Sequence, residues 1–359
     1  MSISYERLAL ERWALPVTAE SELDQAEARY WKSFEGVLRQ RLPSACSHCA
    51  WAPGESRALD GSPVLRLACC VSLNVQLLGS SSRSSRTLVS HKTSARTADV
   101  CYGVSWRRDG KLLAAGDALG NVYVMDSTTG SILRAMSSEG GVDVFAKKNR
   151  AKKGASAARC TAWSRSSGQP IVLSGSDAGR ALLWDVSAGT QSSSFEVSAG
   201  EIRAVAFAKG HEWLASSYDG AVYLLDDRAP KPQAIFQHGS PVEDLAVAHA
   251  SFASCGGTCV TVWDLRKNNS SRSDNAEVAR WRNAHAKTVT CVAFSGKRVI
   301  TGALDGYVKS HSIVDPASSV KVSGGNGPVL SLAYAVGLSS KQTTNEDDSA
   351  KHGPAYSTD

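Results

Sequence analysis

The stretch SCGGTCVTVWDLR, from Ser254 to Arg266, decides the fold. Its paired glycines, Gly256 and Gly257, sit between two alternating apolar runs, and the second run, Val260-Thr261-Val262-Trp263, closes on Asp264. Two-residue turns that match strand twist need positive φ, which glycine reaches without steric cost, so the stretch reads as a hairpin. The same grammar returns in AAGDALGNVYVMD ending at Asp126, SGSDAGRALLWD at Asp185 and SSYDGAVYLLD at Asp226, and again in TGALDGYVKSHSI, where His311 takes the tryptophan slot.

The terminal aspartates lie 59, 41 and 38 residues apart. Two of these gaps match the roughly 40 to 45 residues of a four-stranded propeller blade. The long gap must hold an insertion, which falls between Ser137 and Ala158 and carries Lys147-Lys148-Asn149-Arg150-Ala151-Lys152-Lys153. So few apolar residues cannot offset the entropy of ordering, and a mobile loop outside the blade is expected there.

At 359 residues and 42% hydrophobic the chain can bury a large core, and 7% aromatic with 21% charged residues is ordinary for a folded protein. The net charge of +6 is concentrated in a few basic stretches, which carry any case for an acidic partner. No apolar run approaches the ~20 residues needed to cross a bilayer, and Glu6, Arg7, Glu11 and Arg12 leave no signal-peptide core. An intracellular protein without a membrane partner is expected. Nine cysteines at irregular spacing do not suggest a disulfide framework. Cys46-Ser-His-Cys49 has metal-ligand spacing, but no second pair completes a tetrahedron, and Ala45 to Trp51 parses better as a strand. It resembles Val104-Ser105-Trp106, Cys160-Thr161-Ala162-Trp163, Val205-Ala206-Phe207 and Val292-Ala293-Phe294, all ending on an aromatic. No metal or cofactor is expected.

In chain order, residues 1–34 form an N-terminal segment in which Ala26, Tyr30 and Phe34 could line one stripe of a short helix. A propeller follows over 35–335. Its first blade takes Ala45 to Trp51, Leu65 to Val71 and Val75 to Leu78; Gly79 to Arg96, with Arg83, Arg86, Lys92 and Arg96, reads as an exposed basic connection. Further blades start near Tyr102, Cys160, Ile202, Pro241 and Thr288, and Pro328 to Ala335 begins a seventh. Residues 336–359 are polar and without strand pattern, so a disordered tail is expected. The fold expected is all-β, a seven-bladed β-propeller.

The hairpins ending in Trp184-Asp185 and Trp263-Asp264 resemble WD repeats, in which a histidine, a serine or threonine, a turn aspartate and the tryptophan form a hydrogen-bonded set. The set survives in pieces. His285, Thr301 and Asp305 match while His311 replaces tryptophan; His238, Ser254 and Trp263 match while Gly257 replaces aspartate; Asp219 matches while Leu225 replaces tryptophan. Longer phrases resemble the U3 small nucleolar RNA-associated protein 15 family: Tyr30-Trp31-Lys32-Ser33-Phe34, Asp109 to Gly116, His238 to Asp244, Ser254 to Gly257 and His285 to Cys291, in the family's order. That resemblance implies a nucleolar, hence nuclear, subunit of the UtpA subcomplex of the small-subunit processome. Its implied partners are the other UtpA WD-repeat subunits and the 5′ external transcribed spacer of pre-ribosomal RNA or the U3 snoRNP. Family members also carry a C-terminal helical domain, which nothing after Ala335 resembles.

The sequence contains no GxxxxGK[ST], GxSxG or HExxH, and no carboxylate pair on a catalytic framework, so no catalytic residue is assigned. Asp126, Asp185, Asp226 and Asp264 are strand-end residues suited to turn hydrogen bonding. A propeller offers rigid faces, and the default function is to hold several partners. Lys147, Lys148, Arg150, Lys152 and Lys153 are candidate RNA contacts, with Arg83 and Arg86 a weaker second group, because clustered cations displace the counterions of a phosphate backbone. A nuclear localisation signal and a solvated loop fit the same cluster. A WD-repeat adaptor of a ubiquitin ligase or chromatin-modifying complex is the alternative class.

Overall fold

In the computed structural model most residues between 42 and 333 are described. Residues 1–41, 43, 54–55, 58–62, 65, 80–88, 138–155, 165–169, 230, 268–275, 325–326 and 334–359 are not. The expected N-terminal helix, the polar tail and the interior of the basic insertion therefore lie outside the described residues.

Six four-stranded antiparallel sheets follow one another along the chain. The first holds Cys46–Trp51, Arg66–Val71, Asn74–Gly79 and Val89–Arg96; the second Cys101–Trp106, Leu112–Asp117, Asn121–Asp126 and Ile132–Ser137. The third holds Ala158–Trp163, Ile171–Ser176, Arg180–Asp185 and Thr190–Glu196; the fourth Ile202–Phe207, Glu212–Ser217, Ala221–Asp226 and Ala234–Gln237. The fifth holds Asp244–Ala248, Ser251–Gly256, Cys259–Asp264 and Glu277–Trp281; the sixth Val289–Ser295, Arg298–Ala303, Tyr307–Ser312 and Ser319–Gly324. Each sheet is one blade, and the first strand of each packs against the first strand of the next.

Blade stacking buries the core. Trp184, Trp213 and Trp263 are almost wholly buried, and one apolar cluster fills each seam from the first blade to the sixth. The second-to-third-strand turns are short, and Gly257 in the deciding stretch has φ of 54°. Its neighbour Gly256 meets backbone instead: a Cβ there would lie 2.0 Å from the Pro241 carbonyl oxygen.

Three expectations are corrected. Among the described residues the propeller shows six four-stranded sheets, not seven; after the sixth, residues 327–333 run without sheet pairing. That segment nevertheless occupies the place of a seventh first strand. Val329 N–H donates to the Ala303 carbonyl at 3.0 Å, the Ser331 hydroxyl accepts Cys49 N–H at 3.0 Å, and the Trp51 indole donates to the Ala333 carbonyl at 3.1 Å. Two smaller apolar clusters flank it, one around Ile300 and Val320 with Leu332, the other around Cys69, Val71 and Leu78. Second, the basic connection after Gly79 contains the outer strand Val89–Arg96. Third, Ser137 and Ala158, the ends assigned to the insertion, are strand residues.

Candidate functional site

The WD residues fall into one working set and several partial ones. In the sixth blade His285 Nδ1 lies 3.1 Å from both Asp305 oxygens, His285 Nε2 is 2.8 Å from Thr301 Oγ1, and Thr301 Oγ1 is 3.1 Å from His311 Nε2. One proton arrangement satisfies the chain: His285 Nδ1–H donates to Asp305, Thr301 donates to His285 Nε2, and His311 Nε2–H donates to Thr301. His311 thus does with Nε2–H what an indole N–H would do, at the cost of an Nδ1 with no partner among the described residues. Burial, with the nearby cationic side chains, pushes the His311 ring down to about 3. His285 is lowered by burial against the raising effect of Asp305.

In the fifth blade Ser254 Oγ stands 2.9 Å from both His238 Nδ1 and the Trp263 indole nitrogen, and Gly257 leaves the aspartate position unfilled. Burial lowers His238 to about 4. In the third, Trp184 donates to Ser174 Oγ at 2.8 Å. Asp219 accepts the Tyr223 hydroxyl and Ala221 N–H. The strand-end aspartates act on turns: Asp185 accepts Ser187 N–H at 2.8 Å, and Asp264 accepts Arg266 N–H at 2.9 Å as well as its guanidinium. All of these are buried or turn-bound fixtures. Lys147, Lys148, Arg150, Lys152, Lys153, Arg83 and Arg86 lie outside the described residues.

A different feature faces outward. In five blades the first strand shifts register near its start, leaving Ser47, Tyr102, Arg159, Arg203 and Thr290 as the extra residue. Such bulges re-aim a side chain. Glu243 holds the corresponding position in the fifth blade, where its N–H reaches Cys255, and Leu330 holds it in the 327–333 segment. Three residues later in every first strand comes a small residue: Ala50, Ser105, Ala162, Ala206, Ala246, Ala293 and Ala333. Small residues there keep the axis open, and the bulged residues ring one mouth of it. The residue after each second strand joins the ring, supplying Asp177, Tyr218 and Leu304.

Across the second to fifth blades these side chains form two clusters. Arg159 holds Asp177 through two bonds of 2.6 and 2.8 Å and lies over the Tyr102 ring at 4.1 Å. Arg203 lies over Tyr218 at 4.8 Å and reaches Glu243 at 3.4 Å and Glu201 at 3.6 Å. The Tyr218 hydroxyl donates to Glu243 at 2.7 Å, and burial together with that carboxylate pushes the phenol up to about 12. On the far side of the mouth the ring is Thr290, Leu330 and Ser47, with Leu304 and Leu330 exposed by 39% and 43%. Just inside, Asp244 accepts N–H bonds from Val292 and Leu245; burial raises its carboxyl to about 7 against those two donors.

None of these mouth residues stood out in the sequence. A signal was present for part of the ring: Ser47, Tyr102, Arg159, Arg203, Glu243, Thr290 and Leu330 each lie three positions before the small residue of their segment, and superposing the repeats would have isolated them. Among the described residues no three His, Cys, Asp or Glu side chains are grouped as metal ligands, and Cys46 and Cys49 lie on one strand with the Cys46 thiol donating to the His48 carbonyl.

Residues 189–226 and 278–312 match the family described as WD domain, G-beta repeat. The crystal structure of the WD40 β-propeller domain of Doa1 superposes with a TM-score of 0.61 over 81% of this chain and 86% of that one, at 14% identity. The chain is a WD-repeat β-propeller.

Its relatives are more particular. U3 small nucleolar RNA-associated protein 15 of Schizosaccharomyces pombe is 30% identical over 351 residues, covering 93% of this chain and 61% of the relative. The Saccharomyces cerevisiae protein of that name is 29% identical over 326 residues, 86% of this chain and 56% of the relative. The Gallus gallus homolog is 28% identical over 329 residues, 89% of this chain and 54% of the relative. The chain is similar to these proteins named U3 small nucleolar RNA-associated protein 15, and it spans a little over half the length of each.

Proposed function

We propose that this protein is a scaffold subunit in early ribosomal RNA processing in the nucleolus. In that role it is a UtpA-like component of the small-subunit processome that holds sister WD-repeat subunits on its propeller faces. The observation that carries this reading is the relationship over 93% of the chain to a protein named for U3 small nucleolar RNA. The fold is in keeping with it: the histidines, hydroxyls and aspartates of the repeats are spent on blade structure, which suits a rigid holder of partners better than a catalyst. Lys147, Lys148, Arg150, Lys152 and Lys153, with Arg83 and Arg86, are the proposed contacts to the 5′ external transcribed spacer or to the U3 snoRNP, made through phosphate neutralisation.

Depletion of the protein from cells tests the proposal. The predicted result is accumulation of unprocessed pre-ribosomal RNA and a shortage of 40S subunits, read by hybridisation with spacer probes and by gradient profiles. Unchanged pre-ribosomal RNA after depletion would overturn it.

A further inference from the structure

Cys46, Cys49, Cys69, Cys70 and Cys101 gather in the first blade and at the start of the second, and two of them meet. Cys70, on the second strand of the first blade, and Cys101, which opens the first strand of the second, are both fully buried, with their sulfurs 3.0 Å apart. Later seams fill these places differently. Gly116, Gly175 and Gly302 stand where Cys70 does, and Ala158, Ile202 and Val329 where Cys101 does. A Cβ added to Gly116 would lie 2.9 Å from the Ala158 Cβ, and Cβ atoms added to Gly175 and Gly302 would run into Ile202 and Val329. Three seams therefore bring the two backbones so close that one side chain is dispensed with, whereas the first seam sets two thiols face to face. A disulfide needs its sulfurs at about 2.0 Å, so about 1 Å remains to be closed, within reach of small rotations about the Cα–Cβ bonds. Cys69, next to Cys70 in sequence, points to the opposite face of the blade and packs with Val71 and Leu78.

We propose that Cys70 and Cys101 are a redox modification site, at which a hydroperoxide forms a disulfide that staples the first blade to the second. One thiolate attacks the peroxide, breaking its O–O bond and giving a sulfenic acid and hydroxide; the second thiolate then attacks that sulfur, breaking the S–O bond. Overall, two thiols and one hydrogen peroxide become one disulfide and two waters. Burial holds the Cys70 thiol well above the usual thiol range, so it rests protonated and reacts slowly, as the seam opens. The same burial shields the finished disulfide from thiol reductants. The staple spans a sequence separation of 31 residues, and it limits the unfolded chain far more than it disturbs thiols already in contact. The proposal concerns the isolated chain, whatever assembly it joins.

The test starts from purified chain, reduced and then freed of reductant. It is treated with hydrogen peroxide under native conditions, alkylated and digested with trypsin for mass spectrometry. The expected product is a reducible link between the peptide from Leu67 to Arg83 and the peptide from Thr97 to Arg107. Cys70→Ala and Cys101→Ala should fold, since Gly116 and Ala158 hold the same places in the next seam, and both should lack the link. Cys69→Ala should keep it, which assigns the link to Cys70 within a peptide that holds both cysteines. The linked chain should melt about 5 °C above Cys70→Ala treated in the same way. No link between the two peptides, a link that survives in Cys70→Ala, or a linked chain melting no higher than treated Cys70→Ala would overturn the proposal.

Discussion

Two buried threonines, one working and one idle, offer a sharp test of how the blades are held. Thr301 is fully buried, and its hydroxyl joins His285 at 2.8 Å to His311 at 3.1 Å. Thr301→Val keeps shape and removes that hydroxyl, leaving two buried ring nitrogens without partners. Each orphaned group costs about 1–2 kcal/mol, so the loss should be about 2–4 kcal/mol. For a domain of this size that corresponds to a fall in Tm of roughly 3–7 °C. Thr261, in the fifth blade, is equally buried, but its hydroxyl has no partner among the described residues. Thr261→Val should therefore be neutral or stabilise by up to about 1 kcal/mol, because it removes an unsatisfied polar group. Equilibrium urea unfolding followed by tryptophan fluorescence measures both. Equal effects from the two substitutions, or less than about 0.5 kcal/mol from Thr301→Val, would refute the hydrogen-bond chain as a source of stability.

Four other outcomes are expected. Acid should destabilise the fold from pH 6.5 downward: His238 at about 4 and His311 at about 3 stay neutral in the folded chain while the unfolded chain takes up protons. Stability is then full above about 6.5 and falls by up to ~1.4 kcal/mol per pH unit for each histidine; a urea midpoint that rises between pH 6.5 and 5 would contradict this. Gly256→Ala, whose Cβ would meet the Pro241 carbonyl oxygen at 2.0 Å, should cost more than ~2 kcal/mol. Gly210→Ala, with φ of +59° and nothing within 4 Å, should cost only about 1 kcal/mol on thermal unfolding. Alanine at Lys147, Lys148, Arg150, Lys152 and Lys153 together should lower the slope of log K against log salt for a single-stranded RNA by about 3; an unchanged slope removes that loop from the RNA contact.

The inner parts of the blades were legible in the sequence because burial on both sides makes them apolar, glycine marks their turns, and aromatics end their first strands. The outer strands were not. Thr190–Glu196 reads TQSSSFE and alternates exposed with half-buried positions, so its strand character comes from pairing with Arg180–Asp185 rather than from its own composition. Val89–Arg96 was hidden in the same way by serines and charges. The WD set of the sixth blade was legible residue by residue, since one repeat supplies all of it, including the substitution by His311. The two mouth clusters were not, because Tyr102 and Arg159, like Arg203 and Glu243, come from different blades and meet only once neighbouring blades are packed together. The count of seven blades rested on Pro328 to Ala335, but among the described residues four-stranded pairing is confined to the six sheets before it.

Affinity purification of the tagged protein from cells, with and without ribonuclease, bears most directly on the central claim. The account predicts recovery of processome WD-repeat proteins together with U3 RNA and pre-ribosomal spacer RNA, the proteins persisting after ribonuclease because propeller faces hold them. Recovery of a ubiquitin ligase or chromatin complex without those RNAs would contradict it.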